Sequence, residues 1–218
     1  MILEKSLLKW IAANALGLGV GFIAYVQTFN LMEYGLDTWM HWRSEPPGQD
    51  AYASILVALL VGGAILGSAQ ALILRSRSAR IVPWIVATAA GFGFLVILVW
   101  PLLAAEIFGR IPGPAEPIIV TVGGGSLAGV LQHLALRRQG IHAPKWLVRW
   151  ILGLVASLVP TALLFVSLEG LRVSLSWPME VFLSGFMVAG VAAWISGKAL
   201  FAALSEWPDS GHGKAGAV

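Results

Sequence analysis

No cysteine occurs anywhere in the chain. That excludes disulfides, thiolate nucleophiles, iron–sulfur clusters and cysteine-bound zinc together. Charge is also scarce: only 11% of residues are Asp, Glu, Lys or Arg, against about 25% in soluble domains. A water-soluble fold of this size needs more polar surface than these residues can build. No glycine-rich nucleotide loop with its lysine is present, and no nucleophile stands beside a base in a recognisable motif. The formal net charge is +3, but the basic residues fall in short clusters between apolar blocks. Such clusters suit anionic lipid headgroups, so membrane lipids and not nucleic acid are the expected partners.

What the chain has in quantity is hydrophobic residues, 58% of the total, in long runs. About 20 apolar residues cross roughly 30 Å of hydrocarbon at 1.5 Å per residue. Six runs qualify, at 7–29, 51–74, 81–107, 118–136, 146–168 and 179–204. The expected fold is all-α: a polytopic membrane protein with six transmembrane helices in one domain over 1–204 and a cytoplasmic tail over 205–218. The first run is longer than a signal-peptide core and no small-residue cleavage site follows it, so it is expected to be retained. The outer loop 30–50 carries Met32, Leu36, Trp39 and Met40 on one face and Glu33, Asp37, His41 and Glu45 on another. A short interfacial helix over 30–45 is expected there.

Lys and Arg divide unequally between the two sides of this topology. Eleven lie on the side of the termini, and only Arg43, Arg110 and Arg172 on the other. Both termini are therefore expected in the cytoplasm, in a bacterial-type inner membrane. Trp10, Trp84, Trp146 and Trp207 fall near the cytoplasmic boundary, and Trp39, Trp42, Trp100 and Trp177 near the outer one. They are expected to form interfacial aromatic belts.

The chain also repeats itself. Segment 61–91 matches segment 123–153 at ten of 31 ungapped positions. Gly62, Gly63, Gly67, Gln70, Leu72, Leu74, Arg75, Trp84, Val86 and Gly91 meet their own kind 62 residues on. A fainter third copy is split between the termini. Trp10 and Gly17 keep the spacing of Trp84 and Gly91, and Gly190, Lys198 and Trp207 keep that of Gly67, Arg75 and Trp84. Ala193 takes the place of the glutamine. Each unit is a helical hairpin, so a pseudo-threefold arrangement of hairpins is the expectation.

Gly63, Gly67, Gln70 and Leu74 fall at i, i+4, i+7 and i+11, on one helix face; Gly125, Gly129, Gln132 and Leu136 repeat the stripe. Glycines four apart let backbones approach, and a glutamine beside them can hydrogen-bond across helices. These are the expected packing face and polar core; the competing role for Gln70 and Gln132 is a solute path. Arg75 and Arg137 follow the stripes at helix C-termini, where a cation suits both the dipole and the headgroups. On these residues the chain resembles bacterial multi-pass membrane proteins built on recurring G-x-x-Q-x-x-x-L-R…W hairpins. The resemblance implies a fold type and no activity. Ala71 and His133 depart from the aromatic that often follows the glutamine in that pattern.

Other constellations favour plain roles. Ser126, after Gly124 and Gly125, invites comparison with rhomboid-type intramembrane proteases, but the sixth run contains no histidine to act as base. His133, inside the fourth run, is a candidate ligand for haem or a chlorophyll-type pigment. No other cofactor and no metal is expected. Glu106 and Glu169 close two runs near the outer boundary, and Pro101 and Pro160 are expected to kink their helices. The leading expectation is a non-enzymatic structural or accessory subunit held among other membrane protein subunits, with Trp39 and Trp42 as partner contacts. The alternatives are a small transporter or channel past the glutamines, and a pigment- or haem-binding subunit.

Overall fold

The computed structural model describes residues 2–40, 49–75, 81–104, 115–171 and 175–206. Among the described residues there is no strand. Seven helices follow one another in the described residues: α1 Ile2–Met40, α2 Gln49–Leu74, α3 Ile81–Ala104, α4 Ala115–Arg137, α5 Pro144–Ala156, α6 Leu158–Gly170 and α7 Trp177–Ser205. Among the described residues four stretches are long and apolar enough to cross a membrane: Lys5–Met32, Ala53–Leu74, Pro144–Leu168 and Phe182–Ser205. A shorter apolar stretch, Ile81–Leu95, lies in α3.

The fifth expected run is two helices, α5 and α6, broken at Ser157. Pro160 has no N–H to offer the carbonyl of Ala156, four residues back, and the ladder fails there. Around the gap the backbone bonds hold, with Ser157 N–H donating to Gly153 and Thr161 N–H to Ser157. The Thr161 hydroxyl also donates to the Ser157 carbonyl, at 2.8 Å. By contrast α3 runs through Pro101 without interruption.

α1 differs from its expected limits. Instead of stopping at 29 and giving way to a separate surface helix, it continues unbroken to Met40. Residues 30–40 contain no proline and a single glycine, Gly35, so nothing ends the helix. At 39 residues it is roughly 58 Å long, well beyond the roughly 30 Å of a hydrocarbon core. Residues 41–48, with Trp42, His41 and Glu45, lie outside the described residues. So do Glu106 and most of the tail.

The helices pack in a cycle. α1 lies against α2, α2 against α3, α3 against α4, α4 against α5, α5 against α7, and α7 returns to α1. One core cluster gathers Trp10, Leu74, Trp84, Leu136, Ile141, Trp146, Trp150, Leu200 and Phe201 from six helices and the α4–α5 turn. A second holds Leu18, Phe22, Leu59, Leu66, Phe92, Ala128 and Ala189. The outward faces stay apolar, as with Leu72, Val86, Val148 and Leu152, all exposed. A helix apolar on every side belongs in lipid or deep in a core.

The turn from α4 to α5 is closed by backbone alone. Ile141 N–H donates to Leu136 and Gly140 N–H to Arg137, each at 3.0 Å. This is a Schellman pair, with Gly140 at φ 82° and Ile141 buried beside Leu136. Gly140→Ala forces a Cβ into left-handed backbone and should lower stability by about 1 kcal/mol. Thermal unfolding in mild detergent reads this, and an unchanged melting curve would count against the turn as drawn.

Candidate functional site

Four buried polar residues, Asn14, Gln70, Thr88 and Gln132, meet at one place between α1, α2, α3 and α4. Gln70, on α2, is 1% exposed, as is Gln132 on α4. Gln70 Nε2 donates to Asn14 Oδ1 at 2.6 Å. Its Oε1 accepts from Trp84 Nε1 at 2.8 Å and from Gln132 Nε2 at 2.7 Å. Gln132 Nε2 also donates to Thr88 Oγ1 at 2.7 Å. Thr88 and Asn14 are themselves tied back one turn, Thr88 Oγ1 to the Trp84 carbonyl and Asn14 Nδ2 to the Trp10 carbonyl. Both lone pairs of Gln70 Oε1 are thus taken by donors. Gln70 is the hub of the cluster.

Indoles surround it. Trp10 and Trp84 meet edge-on with centroids 6.2 Å apart, Trp84 and Trp146 lie 5.7 Å apart, and Trp146 stacks near Trp150 at 6.4 Å. Trp10, Trp84 and Trp146 are at most 1% exposed. The expectation that these three face the headgroups is corrected here: they stand near helix ends but turn inward. Position along a helix sets depth, whereas its azimuth decides which neighbour a side chain meets.

The cluster follows a register. Trp10, Trp84 and Trp146 are followed four residues on by Asn14, Thr88 and Trp150, and seven on by Gly17, Gly91 and Gly153. All nine are buried. Where Asn14 or Thr88 supplies an oxygen, a glutamine from the next helix in the cycle reaches it. At the third such place, α5 against α7, Ala193 replaces the glutamine and Trp150 replaces the acceptor. The Trp150 indole donates instead to the Gly125 carbonyl at 2.9 Å. Both halves of the polar contact are absent together. Among the described residues Trp10 Nε1, Trp146 Nε1 and Gln132 Oε1 have no hydrogen-bond partner. Trp146 and Gln132 stand in the positions of the bonded pair Trp84 and Gln70, 62 residues on.

Glycines set how close the helices come. An added Cβ at Gly91 would lie 2.3 Å from Ala128 Cα, and one at Gly153 2.7 Å from Ala192 Cα. At Gly17 it would lie 2.9 Å from the Ala69 Cβ. Gly63 and Gly67 face Ala89 and Thr88 of α3, while Gly125 and Gly129 face Leu154 and Trp150 of α5. The stripes on α2 and α4 therefore meet the helix that follows in the same repeat unit, α3 and α5, whereas Gly91, Gly153 and Gly17 meet α4, α7 and α2.

Arg75 and Arg137 are exposed at the ends of α2 and α4. His133 is half-buried next to Gln132 but takes no part in the cluster; its Nδ1 is enclosed with no hydrogen-bond partner among the described residues. Among the described residues no three His, Asp or Glu side chains gather as a metal site. Trp39 lies on the last turn of α1, with its side-chain surroundings outside the described set, and Trp42 lies outside the described residues.

Sequence reasoning singled out the glutamines and their glycines and missed Asn14 and Thr88. A signal for them exists: Trp84, Thr88, Gly91 and Leu95 step by four, three and four, like the stripe on α2. No protein-family model matches the chain, and no curated protein or solved structure is similar to it.

Proposed function

We propose that this protein is a non-enzymatic structural or accessory subunit of a larger membrane complex. In this reading it is a six-span bundle of three hairpins about a pseudo-threefold axis, in a bacterial inner membrane with both termini cytoplasmic. The observation that carries the reading is the state of the two glutamines. They are buried among tryptophans and bonded to each other and to Asn14, Trp84 and Thr88. Polar groups used this way fasten helices together and line no aqueous path. The cycle of helix contacts supports six spans, because α3 and α4 sit between neighbours that are long enough to cross. The Lys/Arg asymmetry supports the orientation.

Outer aromatic residues are favoured anchors for a protein partner, and Trp39 on the last turn of α1, with Trp42 three residues on in the sequence, is the proposed contact. Trp39→Ala with Trp42→Ala should release the chain from co-purifying subunits while its thermal unfolding stays unchanged. Native purification in mild detergent with mass spectrometry of partners reads the first result. The second reading is a small transporter or channel, favoured by Gln132 Oε1 and Trp146 Nε1, which are buried in the core with no hydrogen-bond partner among the described residues. Reconstituted alone, the chain should move no solute above empty-vesicle background. Solute flux that Gln70→Leu abolishes would replace the accessory reading with the transporter.

A further inference from the structure

Between α3 and α4, on the outside of the cycle, runs a groove of about 390 Å³. Val86, Ala90 and Phe94 form one wall, Leu131 and Leu134 the other, and Arg138 lies at one end. The direction of the groove follows from the helices. α3 leaves the turn end at Ile81 while α4 arrives there at Arg137, so Pro83 and Arg138 mark the same end and Phe94 the far one. From residue 83 to residue 94 a helix rises roughly 16 Å. That is about half of the roughly 30 Å hydrocarbon thickness, the depth of one leaflet.

The groove's polar end is strongly one-signed. Arg137, Arg138, Lys145 and Arg149 are all exposed around the α4–α5 turn. No Asp or Glu occurs between Glu116 and Glu169 to offset them. The shape is made by small side chains, since Ala87, Ala90 and Ala135 leave room between two helices that Gly91 and Ala128 hold close.

We propose that this groove is the binding site of one anionic phospholipid, an acyl chain lying along Val86, Ala90, Phe94 and Leu134 and the headgroup phosphate meeting Arg138. The site rests on the membrane reading above but not on any partner subunit. An apolar trough one leaflet deep fits a lipid chain, and a cation at its interfacial end fits a phosphate. The concentration of basic charge selects a lipid with net negative charge over a zwitterionic one.

The test uses the full chain, purified in mild detergent and titrated with phosphatidylglycerol or phosphatidylcholine of matched acyl chains. Native mass spectrometry counts the lipids retained. A first phosphatidylglycerol should be held about fivefold more tightly than phosphatidylcholine, and Arg138→Gln should remove that preference. Ala90→Phe, which fills the trough, should lower retention of both lipids. Leu134→Glu, at an exposed position of the same wall, serves if Ala90→Phe does not fold. Soluble glycerol phosphate should not compete. Equal retention of the two lipids by the unchanged chain overturns the site. So does an Arg138→Gln variant that keeps the preference, a filled trough that binds as before, or displacement by glycerol phosphate. Binding is read on the isolated chain, so a failure here is distinct from a failure to find partner subunits.

Discussion

Gly91→Leu should leave no folded monomer in mild detergent. A Cβ at this position would stand 2.3 Å from both Cα and N of Ala128. No choice of rotamer relieves that, because the obstacle is backbone and the offending atom is the first of the side chain. α3 and α4 would have to move apart. Their separation would pull Thr88 away from Gln132, whose contact at 2.7 Å spans the same two helices. Overpacking of a core costs about 1–3 kcal/mol, and backbone against backbone lies at or beyond the upper end. Even Gly91→Ala should lose about 2–3 kcal/mol by that reasoning. Gly190→Ala is the control within the same set of helices. Its Cβ would meet only the Ala15 Cβ at 3.5 Å, an ordinary contact, and its melting should shift by less than about 0.5 kcal/mol. Size-exclusion elution and thermal unfolding together decide the matter. A Gly91→Ala protein that melts with the unchanged chain would mean that α3 and α4 do not approach here.

The same close approach shows what a single sequence could and could not reveal. The glycine and glutamine stripe on α2 and α4 was legible because identical residues recur at helical spacing, twice, with rare types in register. Its partner stripe, running through Trp10, Asn14 and Gly17 and through Trp84, Thr88 and Gly91, was written in the same periodicity but in mixed residue types. Tryptophan near a helix end has two physical homes, a lipid interface or a packed core. Composition and depth do not separate them. Only the face of the neighbouring helix does, and that is a long-range fact. On a lipid-facing helix the outer side is as apolar as the inner, so the usual contrast between faces is weak. The break before α6 was legible for the opposite reason, since Pro160 removes one named backbone bond whatever surrounds it. The length of α1 escaped because its end is not marked by any residue that stops a helix before 40.

The contact of α5 with α7, where Ala193 and Trp150 stand at the glutamine and acceptor positions, also has a physical reading. A lone glutamine at 193 would bring an amide to a contact where Trp150 offers no acceptor oxygen. A lone Asn or Thr at 150 would find no donor at Ala193. The two positions change together to an apolar pair, Ala193 being fully buried and Trp150 nearly so. A polar pair removed as a whole leaves less unsatisfied than one cut in half. The amide cluster therefore lies to one side of the cycle, centred on Gln70.

That off-centre position makes the two glutamines unequal, although the repeat makes them look alike. Gln70→Leu should be the more damaging by a wide margin. Among the described residues it takes the one side-chain acceptor from Trp84 Nε1 and the donor from Asn14 Oδ1, and it removes one of two acceptors used by Gln132 Nε2. An unsatisfied buried group costs about 1–3 kcal/mol, with interhelical bonds in membranes toward the lower end. Two such groups and one weakened bond give a loss of about 2–4 kcal/mol. Gln132→Leu removes two hydrogen bonds but strands neither partner. Gln70 Oε1 keeps Trp84, and Thr88 Oγ1 keeps the Trp84 carbonyl. It also deletes Gln132 Oε1, which has no hydrogen-bond partner among the described residues. Its loss should be about 0–1 kcal/mol. Thermal unfolding of the two variants in the same detergent measures the difference. Trp84 gives a second readout, because its indole loses its acceptor only in Gln70→Leu, so only that variant should shift its N–H resonance strongly. Equal losses for the two variants would show that the amides act as separate contacts and that Gln70 is no hub.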